Sequence, residues 1–197
     1  NFVFRPVLQI IDNDSAVRIM RVRNVRGDER MIELNSSDLS SVKDFKKLLL
    51  GNGNYLWRAD SGQSLTAITD YILDVTDSAS MVRNMGWDRK SGYYALGNGV
   101  WSDGKFYEAD RLGVVRLGDR NLFVPACSEL YAESSLSYSF EKKFITRGNS
   151  GVSMRRFVEQ LTGVYGEGAR VAYGWLLASV FRDVVFAKLK FFPMLNL

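Results

Sequence analysis

The sequence predicts an α+β chain: antiparallel β-meander sheets with two or three surface helices, followed by a C-terminal helical segment and an orphan terminal strand. Up to about residue 147, short runs rich in Val, Ile and aromatic residues alternate with turns built on Gly, Asn and Asp. Apolar residues take up helical spacing in two places within that body, and again from Met154 onward. The last seven residues, FFPMLNL, are strand-like, and no helix follows to cover them. At 197 residues, 46% hydrophobic and 24% charged, the chain is long enough for one sizeable core or two small ones.

Residues 2–11, 16–24 and 30–34 read as three strands of a meander, separated by NDS and RGDE. In SSDLSSVKDFKKLLLGNG, the apolar Leu39, Val42, Phe45, Leu48 and Leu49 share a helical face. Ser36 or Ser37 can cap its start, and Gly51 stands where a C-terminal cap belongs. A short strand is expected at 55–58. A second helix follows, with Leu65, Ile68, Ile72 and Val75 on one side. In GYYALGNGVWSDGKFYEADRLGVVRLGDRNLFVPA, Asn98-Gly99 and Asp103-Gly104 are hairpin dipeptides flanked by aromatic and β-branched residues, which predicts at least four short antiparallel strands. LGNG occurs at 50–53 and 96–99, once ending a helix and once making a hairpin, so it marks shared turn chemistry and not an internal repeat. Met154, Phe157, Val158, Leu161 and Tyr165 define a helix, and residues 169–188 define another beyond Gly166-Glu167-Gly168. Its run VAYGWLLASVF has about 11 residues between charges, short of the ~20 that span a bilayer, and reads as a buried core helix. Three regions are expected: 1–80, 81–147 and 148–197.

The inventory of chemical groups is narrow. There is no histidine, which excludes Ser-His-Asp and Cys-His catalysis and removes half the usual zinc ligands. A lone cysteine, Cys127, makes no internal disulfide and reads as a small buried hydrophobe in a protein of the reducing cytoplasm. Residues 1–30 show no signal-peptide layout, and the start, like the end, reads as cut. Asp12 and Asp14 alternate in a loop as divalent-cation ligands would, but the Gly and Glu of a calcium loop do not follow, and a solvated turn is the better reading. No G-x-x-x-x-G-K-[ST] occurs, so the chain holds no phosphate loop of its own. No catalytic or metal-ligating residue is therefore assigned, and no cofactor is expected in this chain.

With a net charge of only +4, basic residues count by position. Arg18, Arg21, Arg23 and Arg26 fall within ten residues of strand and turn. Lys142, Lys143, Arg147, Arg155 and Arg156 surround the GNSG turn, near Tyr138 and Phe144. Such a set can track a phosphate backbone and stack a base, single strands more readily than duplex. The alternative is a solvated face compensated by Asp28, Glu29, Glu33, Glu141 and Glu159.

Two motifs carry a resemblance. An apolar helix bearing FRD (181–183) and then FFPMLNL resembles the lead-in to the nucleotide-binding loop of primase-helicase-like ATPases of phages and integrative elements, proteins often described as DNA primases. MGWDRKSGYYALGNGV, from Met85 to Val100, resembles the domain that precedes that ATPase. The similar stretches lie within residues 81–197. The resemblance implies a bacterial or phage replication protein whose motor, with its ATP and magnesium, begins beyond Leu197. It maps no active-site residue onto this chain. Two readings result: a non-catalytic, DNA-positioning accessory module of such an ATPase, or an independent module binding protein or single-stranded nucleic acid through the hairpin aromatics Tyr93, Tyr94, Trp101, Phe106 and Tyr107. Core packing accounts for many of those aromatics equally well. The terminal strand, from Phe191 to Leu197, is expected to lie mispaired, to fold against the apolar side of the 169–188 helix, or to pair with a second copy.

Overall fold

The computed structural model describes residues 2–13, 15–59, 61–132, 136–148 and 151–195. In chain order its elements are β1 (Phe2–Asp12), β2 (Ser15–Asn24), β3 (Glu29–Leu34), α1 (Val42–Gly51), α2 (Gly62–Val75), β4 (Ser78–Met81), β5 (Gly86–Asp88), β6 (Tyr93–Leu96), β7 (Gly99–Ser102), β8 (Lys105–Glu108), β9 (Val114–Leu117), β10 (Arg120–Phe123), α3 (Met154–Tyr165), α4 (Gly168–Val180) and α5 (Arg182–Leu189), with short 3₁₀ turns between several of them. The chain is α+β with antiparallel-rich sheets. It divides into two compact units, one of residues 1–85 and 93–145, the other of 86–92 and 146–197.

The first unit is built on a sheet of order β3-β2-β1-β4-β10-β9. β1, β2 and β3 form the expected meander. β4 then pairs parallel with β1 on one side and parallel with β10 on the other. The boundary expected near residue 80 therefore falls inside a strand that joins the two regions. β1 changes faces partway along. Pro6 pairs with Met20 and Leu8 with Ile19, so Val7 is an extra residue in the ladder. Proline lacks an N–H, and a bulge is where a strand tolerates it. Before the bulge, Phe2 and Phe4 pack with Met20, Val22, Ile32 and Leu34 against Phe45, Leu49, Leu65 and Ile72 of α1 and α2. After it, Leu8 and Ile10 join Ile19, Ala79, Val114 and Phe123 on the opposite face.

α1 begins at Ser41, whose Oγ accepts from the Asp44 N–H at 3.1 Å. Residues 36–39 ahead of it form a 3₁₀ turn. The strand expected at 55–58 is not formed. Tyr55 lies in irregular chain, 1% exposed, and is buried as a core side chain. β6, β7 and β8 pair antiparallel in that order and pack Tyr93, Ala95 and Val100 against Val115, Leu117, Leu122 and Val124. Both faces of β9 and β10 are thus covered, which is why VVRL and NLFV read as apolar runs without alternation.

The second unit carries β5 and the three C-terminal helices. Ser153 caps α3, its Oγ accepting from the Arg156 N–H at 3.2 Å. Phe157 of α3 lies 5.8 Å from Tyr173 of α4. The helix expected over 169–188 is interrupted at Phe181 and forms α4 and α5. It is not a buried core helix: only Ala169 of α4 is buried, while Leu176 is 54% and Phe181 58% exposed. Residues 191–195 form no strand and fold back on α4, where Trp175 Nε1 donates to the Pro193 carbonyl at 2.7 Å and its ring meets Phe192 at 5.8 Å. Asn196 and Leu197 lie outside the described residues. Among the described residues, no helix is long and apolar enough to cross a membrane.

Candidate nucleic-acid interface

The first expected basic cluster does not stay whole. In β2, successive side chains alternate faces. Arg18 shares the face of Met20 and Val22, with its Nε buried and without a hydrogen-bond partner among the described residues. Arg21 and Arg23 lie on the opposite, exposed face beside Arg5, the direct cross-strand partner of Arg21. That face is also acidic: Arg21 reaches Glu29 at 3.5 Å and Glu129 at 3.9 Å, and Arg23 stands opposite Glu29. Its arginines belong to a compensated surface.

The second cluster divides between the two units, with Lys142 and Lys143 in the first and Arg147, Arg155 and Arg156 in the second. Arg155 is paired with Glu159 at 2.9 Å on α3. Lys142 is turned inward, its Nζ donating to the Tyr131 carbonyl at 2.9 Å. Lys143 remains at the surface, its Nζ 6.0 Å from the Phe140 ring. Tyr138 packs on Tyr131 at 5.1 Å. Burial foremost, with Glu141 and Glu33 adding, pushes the Tyr138 phenol up, and burial with Glu33 does the same to Tyr131. Of the two expected cation-ligand aspartates, Asp12 is ion-paired to Arg83, and Asp14 lies outside the described residues. Among the described residues, no group of three or more His, Cys, Asp or Glu side chains is placed to hold a metal.

What the first unit does assemble is a row of rings. Tyr94 of β6 is the cross-strand partner of Trp101 of β7, and Trp101 is the partner of Phe106 of β8. Direct partners share a face, so these three rings run across the outer surface of the hairpin sheet. Tyr93 and Tyr107 point the other way, into the core. Trp101 and Phe106 have centroids 6.4 Å apart, and Trp101 is 47% exposed.

A fourth ring extends the row. Phe144, 42% exposed, stands 6.3 Å from Tyr94. It is held there by the 3₁₀ turn Glu141–Lys143, which abuts the β6–β7 connection. Gly97 N–H donates to the Phe144 carbonyl at 2.6 Å, and a Cβ on Gly97 would lie 1.9 Å from the Glu141 carbonyl oxygen. Gly99 leaves room for the ring of Phe106, which a Cβ there would meet at 2.7 Å. Two glycines of a single turn therefore seat both ends of the aromatic row.

All four of these aromatics stand out in the sequence, but Phe144 belongs there with the basic cluster and the others with the hairpin. The cross-strand register joins them. No protein-family model matches the chain, and no curated protein matches it either.

Proposed function

We propose that this chain is a non-catalytic module that binds single-stranded nucleic acid on the outer face of β6–β8, and that it positions single-stranded DNA within a larger replication protein. The observation that carries the reading is the row Phe144, Tyr94, Trp101 and Phe106, in which Phe144 and Trp101 are half-exposed and Tyr94 and Phe106 are partly buried between them and at its end. Every base has a π-face, and stacking on aromatic side chains is the sequence-tolerant way to hold unpaired bases. Lys143 beside Phe144 supplies a surface cation for a phosphate. The replication setting rests on the resemblance of residues 85–100 and 181–197 to the lead-in of primase-helicase-like ATPases. ATP and magnesium belong to that motor, because the sequence here lacks the phosphate loop and its Lys-[ST].

The test is titration of a fluorescein-labelled oligo-dT with the full chain, read by anisotropy and by quenching of tryptophan. Trp101→Ala is expected to weaken binding roughly tenfold, at ~1–3 kcal/mol per stacked base, while leaving the melting temperature close to that of the parent. Unchanged affinity in a folded Trp101→Ala variant refutes the reading.

A further inference from the structure

We infer that the aromatic row takes a short segment of about three to four unpaired bases, one ring to a base, and holds it mainly by stacking with few phosphate contacts. The inference rests on the single-strand reading above and specifies its ligand.

Ring spacing sets the length. The rings recur at 6.3 Å between Phe144 and Tyr94, at one interstrand step between Tyr94 and Trp101, and at 6.4 Å between Trp101 and Phe106. The two ring-to-ring distances are close to twice the ~3.4 Å rise of a base in duplex. A strand lying along the row must therefore be stretched, with its bases unstacked from one another and each free to meet a ring. A duplex offers no base faces to such a row. A proline-rich segment, the other ligand that aromatic surfaces recognise, repeats about every 9 Å along its helix and would not keep step with the rings.

The charges set the mode. Lys142 spends its ammonium on the Tyr131 carbonyl, Lys105 lies 5.2 Å over the Tyr107 ring, and the residues next to the ends of the row include Glu108, two after Phe106 on β8, and Glu141, in the turn before Phe144, as well as Lys143. With about one phosphate neutralised, the slope of log affinity against log salt is about −0.7 for a single strand. The affinity is then expected to fall only about threefold between 50 and 200 mM salt.

The experiment is the same anisotropy titration run over a ladder of oligo-dT from two to twelve nucleotides, with oligo-dA, a blunt duplex and a proline-rich peptide alongside, at 50 and 200 mM salt. The inference expects affinity per oligonucleotide to stop rising by about five nucleotides, oligo-dA to bind within about tenfold of oligo-dT, duplex to bind at least tenfold more weakly, and the salt slope to be shallower than −1.5. Lys143→Glu should cost no more than about fivefold, and Phe144→Ala should cost more than Lys143→Glu. Binding that keeps strengthening past about five nucleotides, or a slope steeper than −1.5, overturns the inference and leaves single-strand binding standing. No binding to any oligonucleotide, or a proline-rich peptide binding through Trp101 in their place, overturns both. Should Trp101→Ala fail to fold, Phe144→Ala reads the same row from a 3₁₀ turn instead of a strand.

Discussion

Among the described glycines of the first unit, Gly97 is the one where an added Cβ would meet the closest contact. A methyl group there would overlap the Glu141 carbonyl, and neither backbone segment can yield without breaking the 2.6 Å hydrogen bond to Phe144. Gly97→Ala is therefore expected to destabilise the fold by about 2 kcal/mol, the middle of the range for overpacking, as measured by urea denaturation. It should also weaken oligonucleotide binding, since Phe144 moves with the turn. An unchanged midpoint would show that the turn Glu141–Lys143 docks elsewhere. Cys127 gives a second residue-scale expectation. Its thiol donates to the Val124 carbonyl at 3.4 Å, and burial foremost, opposed by a hydrogen bond from its own backbone N–H and reinforced by Asp110 and Glu108, pushes its pKa from 9.0 up to about 11. A raised pKa disfavours ionisation in the folded state, so this group's stabilising contribution is complete below pH 9 and is lost as pH rises through about 11. Alkylation of native Cys127 at pH 8 should accordingly be much slower than that of the urea-unfolded chain, and equal rates would contradict the burial.

Among the elements, α2 ties the helical layer to the sheet. Ile72 is fully buried between α2 and the sheet strands, in the same cluster as Met20, Leu34 and Phe45. Ile72→Ala should cost about 3–4 kcal/mol in thermal or urea unfolding, given the 2–5 kcal/mol typical of such truncations, whereas Tyr71→Ala, on the half-exposed side of the same helix, should cost less. The hairpin sheet shows how sensitive an element is to its turn. With Asn98-Gly99 as the central residues, the dipeptide the sequence advertises, Trp101 would stand opposite Leu96. The observed turn is Gly97-Asn98, which pairs Leu96 with Gly99 and sets Trp101 beside Tyr94. A two-residue slip of pairing leaves the faces unchanged but decides which rings are neighbours.

At the scale of the whole molecule, the two units differ in how much they bury. The first has three apolar clusters: one under α1 and α2 on one face of its main sheet, one on the opposite face, and one between β9–β10 and the hairpin sheet. The second is a set of short helices whose apolar residues stay half-exposed, from Val171 at 63% to Phe191 at 58%. Its tail is latched by one tryptophan. Deleting residues 191–197 removes the Pro193 and Phe192 contacts of Trp175. The deletion is expected to shift and quench or enhance Trp175 emission while leaving the cooperative unfolding of the first unit unchanged. Loss of that transition on deletion would mean that the tail belongs to the core of the first unit.

The sequence by itself determined the α+β class, the positions of α2 and α3, the existence of α1 and the Asp103-Gly104 hairpin, because these depend on local periodicity and turn residues, although α1 is capped by Ser41 and not by the expected Ser36 or Ser37. It also carried a rule that separates Arg18 from Arg21, the two-residue period of a strand, although the two lie close together in the chain. Tertiary structure alone decided the rest. β4 pairs in parallel with residues 69 positions before it in β1 and 42 positions after it in β10, a choice no local pattern encodes. Tyr55 is core without being strand, because a buried side chain needs a neighbour and not a secondary structure. The aromatic row exists because the backbone at Glu141 and Phe144 closes on Gly97, more than 40 residues away, fixing the register that brings Tyr94 to Trp101 and Phe144 to Tyr94.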